Sequence, residues 1–124
     1  MAEETKKKIL VAEDERPMSR ALELKLKASG FDVVSAYNGK EALEKINSEK
    51  FDLVLLDLIM PELDGFGVLE ALKGKTDRPI VIVSTNLGQE SDEKRARDLG
   101  ANGYFVKADT SILDVIKKVQ EALT

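Results

Sequence analysis

The chain has 124 residues, 43% hydrophobic and 34% charged, with a formal net charge of −4; that is one domain with room for a substantial core, and too apolar for disorder. It contains neither cysteine nor histidine, which excludes disulfides, thiol chemistry, histidine metal sites, histidine-based triads and phosphohistidine on this chain. No apolar run reaches membrane-spanning length, MAEETKKK lacks the apolar core of a signal peptide, and no basic cluster exceeds Lys6-Lys7-Lys8, so a cytoplasmic protein without direct nucleic-acid or membrane partners is expected.

Residues 1–6 read as a loose tail ahead of a domain over 7–124. Strand β1 is the apolar run KILVA at 8–12, ending at Glu13-Asp14-Glu15. Pro17 suits the first turn of helix α1, where Met18, Ala21, Leu22 and Leu26 recur at helical spacing until Gly30 stops it. Strand β2 follows at 31–36. Asn38 is placed to cap helix α2, with Glu41 at the capping-box position and Ala42, Leu43 and Ile46 on its inner face.

The stretch FDLVLLDLIMPELDG, 51–65, organises the rest. Strand β3, expected over 52–57, holds the unbroken run Leu53-Val54-Leu55-Leu56, which suits a parallel strand buried on both faces. It stops at Asp57, and Pro61 and Asp64-Gly65 mark a turn into helix α3, about 65–73, carrying Leu69 and Leu72. Strand β4 is PIVIVST at 79–85, apolar until its two hydroxyls. Helix α4 at 90–99 is strongly polar, with only Ala96 and Leu99 apolar, and should be thinly packed and therefore mobile or open to a partner. Strand β5 is GYFV at 103–106, ending at Lys107. Helix α5 at 111–123 closes the chain, with Ile112, Val115, Ile116, Val119 and Leu123 on one face and Ser111 and Asp114 as a capping pair.

Five strand–helix units in alternation make an α/β domain: a parallel sheet with helices on both faces and right-handed crossovers. Parallel strands bring their C-terminal ends to one edge, which here carries Glu13, Asp14, Asp57, Ser84, Thr85 and Lys107. One acid after a strand is ordinary turn chemistry. Complementary polar groups at four of five strand ends point to a site. Close carboxylates repel, so a divalent cation or perturbed protonation is expected. Oxygen ligands without histidine or cysteine favour Mg²⁺. Beside such a cation a carboxylate can attack phosphorus, with a lysine and a hydroxyl to receive charge on the equatorial oxygens.

KILVAEDE (8–15), LLDLIMPELDG (55–65), VSTNLGQ (83–89) and GANGYFVK (100–107) resemble, in order and spacing and over essentially the whole chain, the receiver domain of two-component response regulators of the single-domain, chemotaxis-regulator type. The resemblance implies a flavodoxin-like three-layer sandwich with five helices and a five-stranded sheet in the order 2-1-3-4-5. It implies that Asp57 is the phosphoacceptor, and that Asp14, Glu13 (through water), Asp57 and the Ile59 backbone carbonyl hold Mg²⁺. Lys107 would pair with the phosphoryl group, and Tyr104 would be the aromatic switch residue, for which ordinary core packing is the alternative. Counting from Pro79 favours Ser84 as the switch hydroxyl. Counting back from Lys107, and the TNLGQ wording, favour Thr85, which is preferred.

The implied activity is acceptance of a phosphoryl group from a histidine kinase or phosphotransfer protein. A downstream protein would read the result through the α4–β5–α5 face of a monomer or a phosphorylation-dependent dimer. Such a domain assists its own phosphorylation without being a conventional enzyme. Two departures stand out. Ala108 replaces a proline whose peptide bond is usually cis, which bears on the β5–α5 loop and the placing of Lys107. Ile59, with Leu87 or Asn86, occupies a position flanking the phosphoryl group, and apolar Ile59 predicts slow dephosphorylation. Two other classes compete. A pseudo-receiver would act as an interaction module independent of phosphorylation, but such modules usually lose an acid or the lysine. An electron carrier would need a phosphate-cradling loop where this chain has Glu13-Asp14-Glu15, whose charges would repel a flavin phosphate.

Overall fold

Strand and helix alternate throughout the described residues, 6–124, of the computed structural model. The order is β1 (Lys8–Ala12), α1 (Arg16–Ala28), β2 (Asp32–Ala36), α2 (Gly39–Ser48), β3 (Leu53–Leu56), α3 (Gly65–Leu72), β4 (Ile80–Thr85), α4 (Glu90–Asp98), β5 (Gly103–Val106) and α5 (Ile112–Ala122). A short 3₁₀ turn, Lys107–Asp109, precedes α5 and was not expected. But for Lys6, the expected tail over 1–6 lies outside the described residues. None of the helices described is long and apolar enough to cross a membrane.

All five strands are parallel, in the order β2-β1-β3-β4-β5. The fold is the flavodoxin-like three-layer sandwich that the resemblance implied. β3 explains why its sequence has no polar face. Leu53 and Leu55 point into the layer formed with α1 and α5, and Val54 and Leu56 into the layer formed with α2, α3 and α4. All four are buried, and a buried Val or Leu side chain contributes about 1.5–3 kcal/mol. β3 therefore anchors whatever its C-terminal end carries.

The helix ends follow their sequences. Asn38 Oδ1 accepts from the Glu41 N–H at 2.7 Å, and Ser111 Oγ from the Asp114 N–H at 3.2 Å. One detail differs: the Glu41 carboxylate turns back to the N–H of Tyr37 at 3.2 Å, outside the cap residue rather than on it. α4 contributes only Ala96 to the core, and Leu99, its C-cap, is half-buried.

The crossover from β3 to α3 is tight. Gly65 donates its N–H to the Leu58 carbonyl at 3.0 Å, and a Cβ at Gly65 would collide with the carbonyl oxygen of Asp57. Only glycine allows this approach. Just before it, Glu62 sits at φ 70 and the Leu63 N–H reaches back to the Pro61 carbonyl at 2.8 Å, a γ-turn of the strained kind.

Candidate functional site

Strand order reverses at β1, with β2 on one side and β3 on the other, and the crevice beyond the strand ends at such a point is where open α/β sheets hold ligands. Glu13 and Asp14 leave β1 there, and Asp57 leaves β3. Backbone bonds join the strand ends: the Glu13 N–H donates to the Ala36 carbonyl and the Asp57 N–H to the Ala12 carbonyl, both at 3.0 Å. Glu13 and Asp57 are buried and Asp14 is partly exposed. One carboxylate oxygen from each of the three lies within 4.8 Å of the others.

Lys107 reaches this cluster from the end of β5. Its ammonium bonds Asp57 Oδ2 at 3.0 Å, pairs with Glu13, and lies 3.6 Å from Glu15. The Lys107 side chain is only 7% exposed, so its pairs with the buried Glu13 and Asp57 are hardly screened by water, whereas its pair with the exposed Glu15 is screened. Burial alone would lower the Lys107 pKa, but its hydrogen bonds to Glu13 and Asp57 outweigh that and hold it above the ordinary lysine value. Burial pushes the Glu13 carboxyl up to about 7; the bonds from Lys107 and the Glu15 N–H work against this rise, and the nearby Asp57 charge adds to it.

Three carboxylates, Glu13, Glu15 and Asp57, thus face one ammonium, with Asp14 beside Glu13 and Asp57. That excess of carboxylate over ammonium, with Glu13 and Asp57 buried and Asp14 partly exposed, fits a hard divalent cation better than it fits a closed ion-pair network.

Asp57 Oδ1 accepts the N–H of Ile59 at 3.2 Å, so each oxygen of Asp57 is already oriented by one donor. The Ile59 side chain is 56% exposed at the mouth of the crevice. Of the two hydroxyls, Ser84 follows Ile82 toward the α1/α5 layer, whereas Thr85 continues the Val81 and Val83 face, on which Tyr104 packs. Thr85 Oγ1 accepts from the Leu87 N–H at 3.3 Å. The Tyr104 hydroxyl donates to the Leu87 carbonyl, and burial, then the charges of Asp92 and Glu93, raise its pKa. Ala108 does not displace the lysine: the chain turns in the 3₁₀ conformation and Lys107 still meets Asp57.

One neighbour and one contact escaped the sequence reading. Glu15 looked like an ordinary member of an acidic run, yet its carboxylate joins the Lys107 cluster. Asn86, expected with Leu87 as the alternative flank of the phosphoryl group, bonds the backbone of Ala108, a contact for which no linear signal exists.

The sequence profile of the response regulator receiver domain matches residues 9–119. A probable transcriptional regulator, ycf27, of Porphyridium aerugineum is 42% identical over 123 residues, covering 94% of this chain and 51% of its own length. The chain thus spans about half the length of that relative. The receiver domain of the Francisella response regulator 1452 superposes with a TM-score of 0.88 at 30% identity, over 94% of this chain and 96% of its own. A CheY-like response regulator receiver domain protein from Methanospirillum hungatei JF-1 gives a TM-score of 0.90 at 26% identity, over 96% and 94%.

Proposed function

The chain belongs to the response regulator receiver domain family, and on that footing we propose that it accepts a phosphoryl group on Asp57 from a histidine kinase or phosphotransfer protein in the cytoplasm. The observation that carries the reading is the meeting of Asp57, Glu13, Asp14 and Lys107 at one strand-order reversal. The donor set fits Mg²⁺, with Asp14, Asp57 and Glu13 as its holders. When bound, the cation supplies neutralisation of charge on the phosphoryl oxygens.

The chain's own residues do the remainder. Asp57 presents a carboxylate whose two oxygens are held by Ile59 N–H and by Lys107, which limits the orientations it must give up to attack in line at phosphorus. An O–P bond forms as the bond from phosphorus to the donor's nitrogen breaks. The Lys107 ammonium, already at the site, exchanges part of its pairing with Asp57 and Glu13 for the incoming phosphoryl oxygens. Thr85, on the Tyr104 face, supplies a hydroxyl from the end of β4. Its movement toward the phosphoryl group would disturb the Leu87 N–H, and through Leu87 the Tyr104 hydroxyl, biasing a two-state element on the α4–β5–α5 face. A downstream protein reads that face. The domain assists its own phosphorylation, and its product is a signal.

Intact mass after incubation with phosphoramidate, with and without Mg²⁺, tests the reading. One Mg²⁺-dependent phosphoryl adduct is expected on the wild type and none on Asp57→Asn. A folded wild type that gains no mass would point instead to a phosphorylation-independent interaction module. In the same assay Ile59→Asn should lose its phosphoryl group faster than the wild type, because a polar side chain at this exposed position can orient water.

A further inference from the structure

We propose that Asn86 is a positioning residue for Lys107, tying the lysine-bearing turn to the β4–α4 loop through the backbone N–H of Ala108. Its consequence for phosphorylation rests on the Asp57 reading above; the tie itself does not. The Ala108 N–H donates to Asn86 Oδ1 at 3.2 Å. An N–H requires an acceptor, so the amide of Asn86 is held with its oxygen toward the turn. Among the described residues, no other hydrogen bond joins residues 86–89 to residues 107–110.

Apart from the Lys107 ammonium on Asp57 and Glu13, the other bonds of the turn are local. The Thr110 N–H meets the Lys107 carbonyl at 3.3 Å, and the Thr110 hydroxyl the Val106 carbonyl at 2.9 Å. They set the shape of the turn but not its place. The β4–α4 loop, in contrast, is tied to its surroundings by the Thr85 hydroxyl on Leu87 N–H and by the Tyr104 hydroxyl on the Leu87 carbonyl. Asn86 stands between Thr85 and Leu87 in that loop. A displacement of Thr85 is therefore passed to Ala108, and from Ala108 to its chain neighbour Lys107, whose ammonium bonds Asp57. The two basic and hydroxyl components of the site would move together rather than separately. The device depends on a residue with an N–H at 108, which proline lacks.

Two measurements test this. NMR amide exchange of Ala108, with the Lys107 Nζ chemical shift, is compared in unphosphorylated wild type, Asn86→Ala and Asn86→Asp. Asn86→Ala should speed Ala108 exchange about fivefold, the worth of one ordinary hydrogen bond, and shift the Lys107 signal. Asn86→Asp should restore protection, since its carboxylate accepts the same N–H. With phosphoramidate and Mg²⁺, Asn86→Ala should lower the maximal phosphorylation rate about fivefold with the half-saturating donor concentration unchanged. In an Ala108→Pro background the same substitution should change nothing further. Unaltered Ala108 exchange in Asn86→Ala would overturn the proposal, as would an undiminished effect of Asn86→Ala beside Pro at 108. A wild type that takes up no phosphoryl group would defeat the Asp57 reading alone, because the exchange experiment still decides the tie.

Discussion

Helices α3 and α4 cover the same face of the sheet and are built on opposite terms. α3 buries Gly65, Phe66, Val68, Leu69 and Leu72, and Asp64 caps it by accepting the Gly67 N–H at 2.8 Å. α4 buries Ala96 alone, has no side-chain cap, and pairs its charges among themselves, Lys94 with Asp98 and Arg97 with Glu93, each at 2.9 Å in water. Such exposed pairs contribute about 0–1 kcal/mol. One contact that crosses between the helices is the Arg95 guanidinium, 4.1 Å from the centre of the Phe66 ring. The contrast divides the site. The loop into α3 starts at Asp57 and is locked by buried apolar contact, whereas the loop into α4 starts at Thr85 and leads to an element with little to hold it. Chemistry needs the first to stay and signalling needs the second to move.

The strongest way to break this contrast is through the anchored helix. Leu69→Ala should cost about 2–5 kcal/mol, read as a lowered urea midpoint for the whole domain. A cost below that of an exposed substitution would show that α3 is not the anchor.

Next in size is the charge at the rim, buried where the α4 charges are exposed. Glu13 holds its proton to about pH 7 in the fold, against an ordinary value of 4.5. Between those values the unfolded chain has released a proton that the fold still binds, so stability falls as pH rises from about 4.5 to 7 and is level in this respect above it. Without Mg²⁺ the wild type should lose about 1–3 kcal/mol over that window, and Glu13→Gln should not. Equal slopes of the urea midpoint with pH in the two proteins would count against a buried, cation-seeking carboxylate.

A smaller gain is expected in the loop that feeds α3. Glu62→Gly relieves the left-handed backbone at φ 70 and should stabilise by about 0.5–1 kcal/mol in thermal unfolding, less whatever glycine adds to unfolded-chain entropy. A loss of stability would mean that the turn is not strained.

Smallest is the bridge between the helices. Arg95→Ala should cost at most about 0.5–1 kcal/mol globally, yet raise amide exchange in α4 while leaving α3 unchanged. Equal effects on both helices would dissolve the distinction between them.

Much of this was legible in the chain. An apolar run that ends abruptly in an acid, hydroxyl or lysine marks a buried strand and its exit, and Asn38, Ser111 and Pro17 mark helix starts by local chemistry. The choice between Ser84 and Thr85 was not legible from the run itself. Both are at the end of β4 and both are buried, and only the register with Tyr104 on β5 separates their faces. Glu41 matched its expected position but chose a different N–H. The pairing of Glu15 with Lys107 and the bond of Asn86 to Ala108 gave no signal, since the partners lie 92 and 22 residues away.

By itself the sequence determined the elements, the double-sided burial of β3 and the residues gathered at one edge of the sheet, because apolar periodicity and capping act over a few neighbouring residues. The tertiary structure alone decided how Glu13, Glu15 and Asp57 share the Lys107 ammonium, which hydroxyl lies on the Tyr104 face, and what joins the β4–α4 loop to the turn after β5. Those are distances between strands, and they exist only once the sheet has assembled in its order and register.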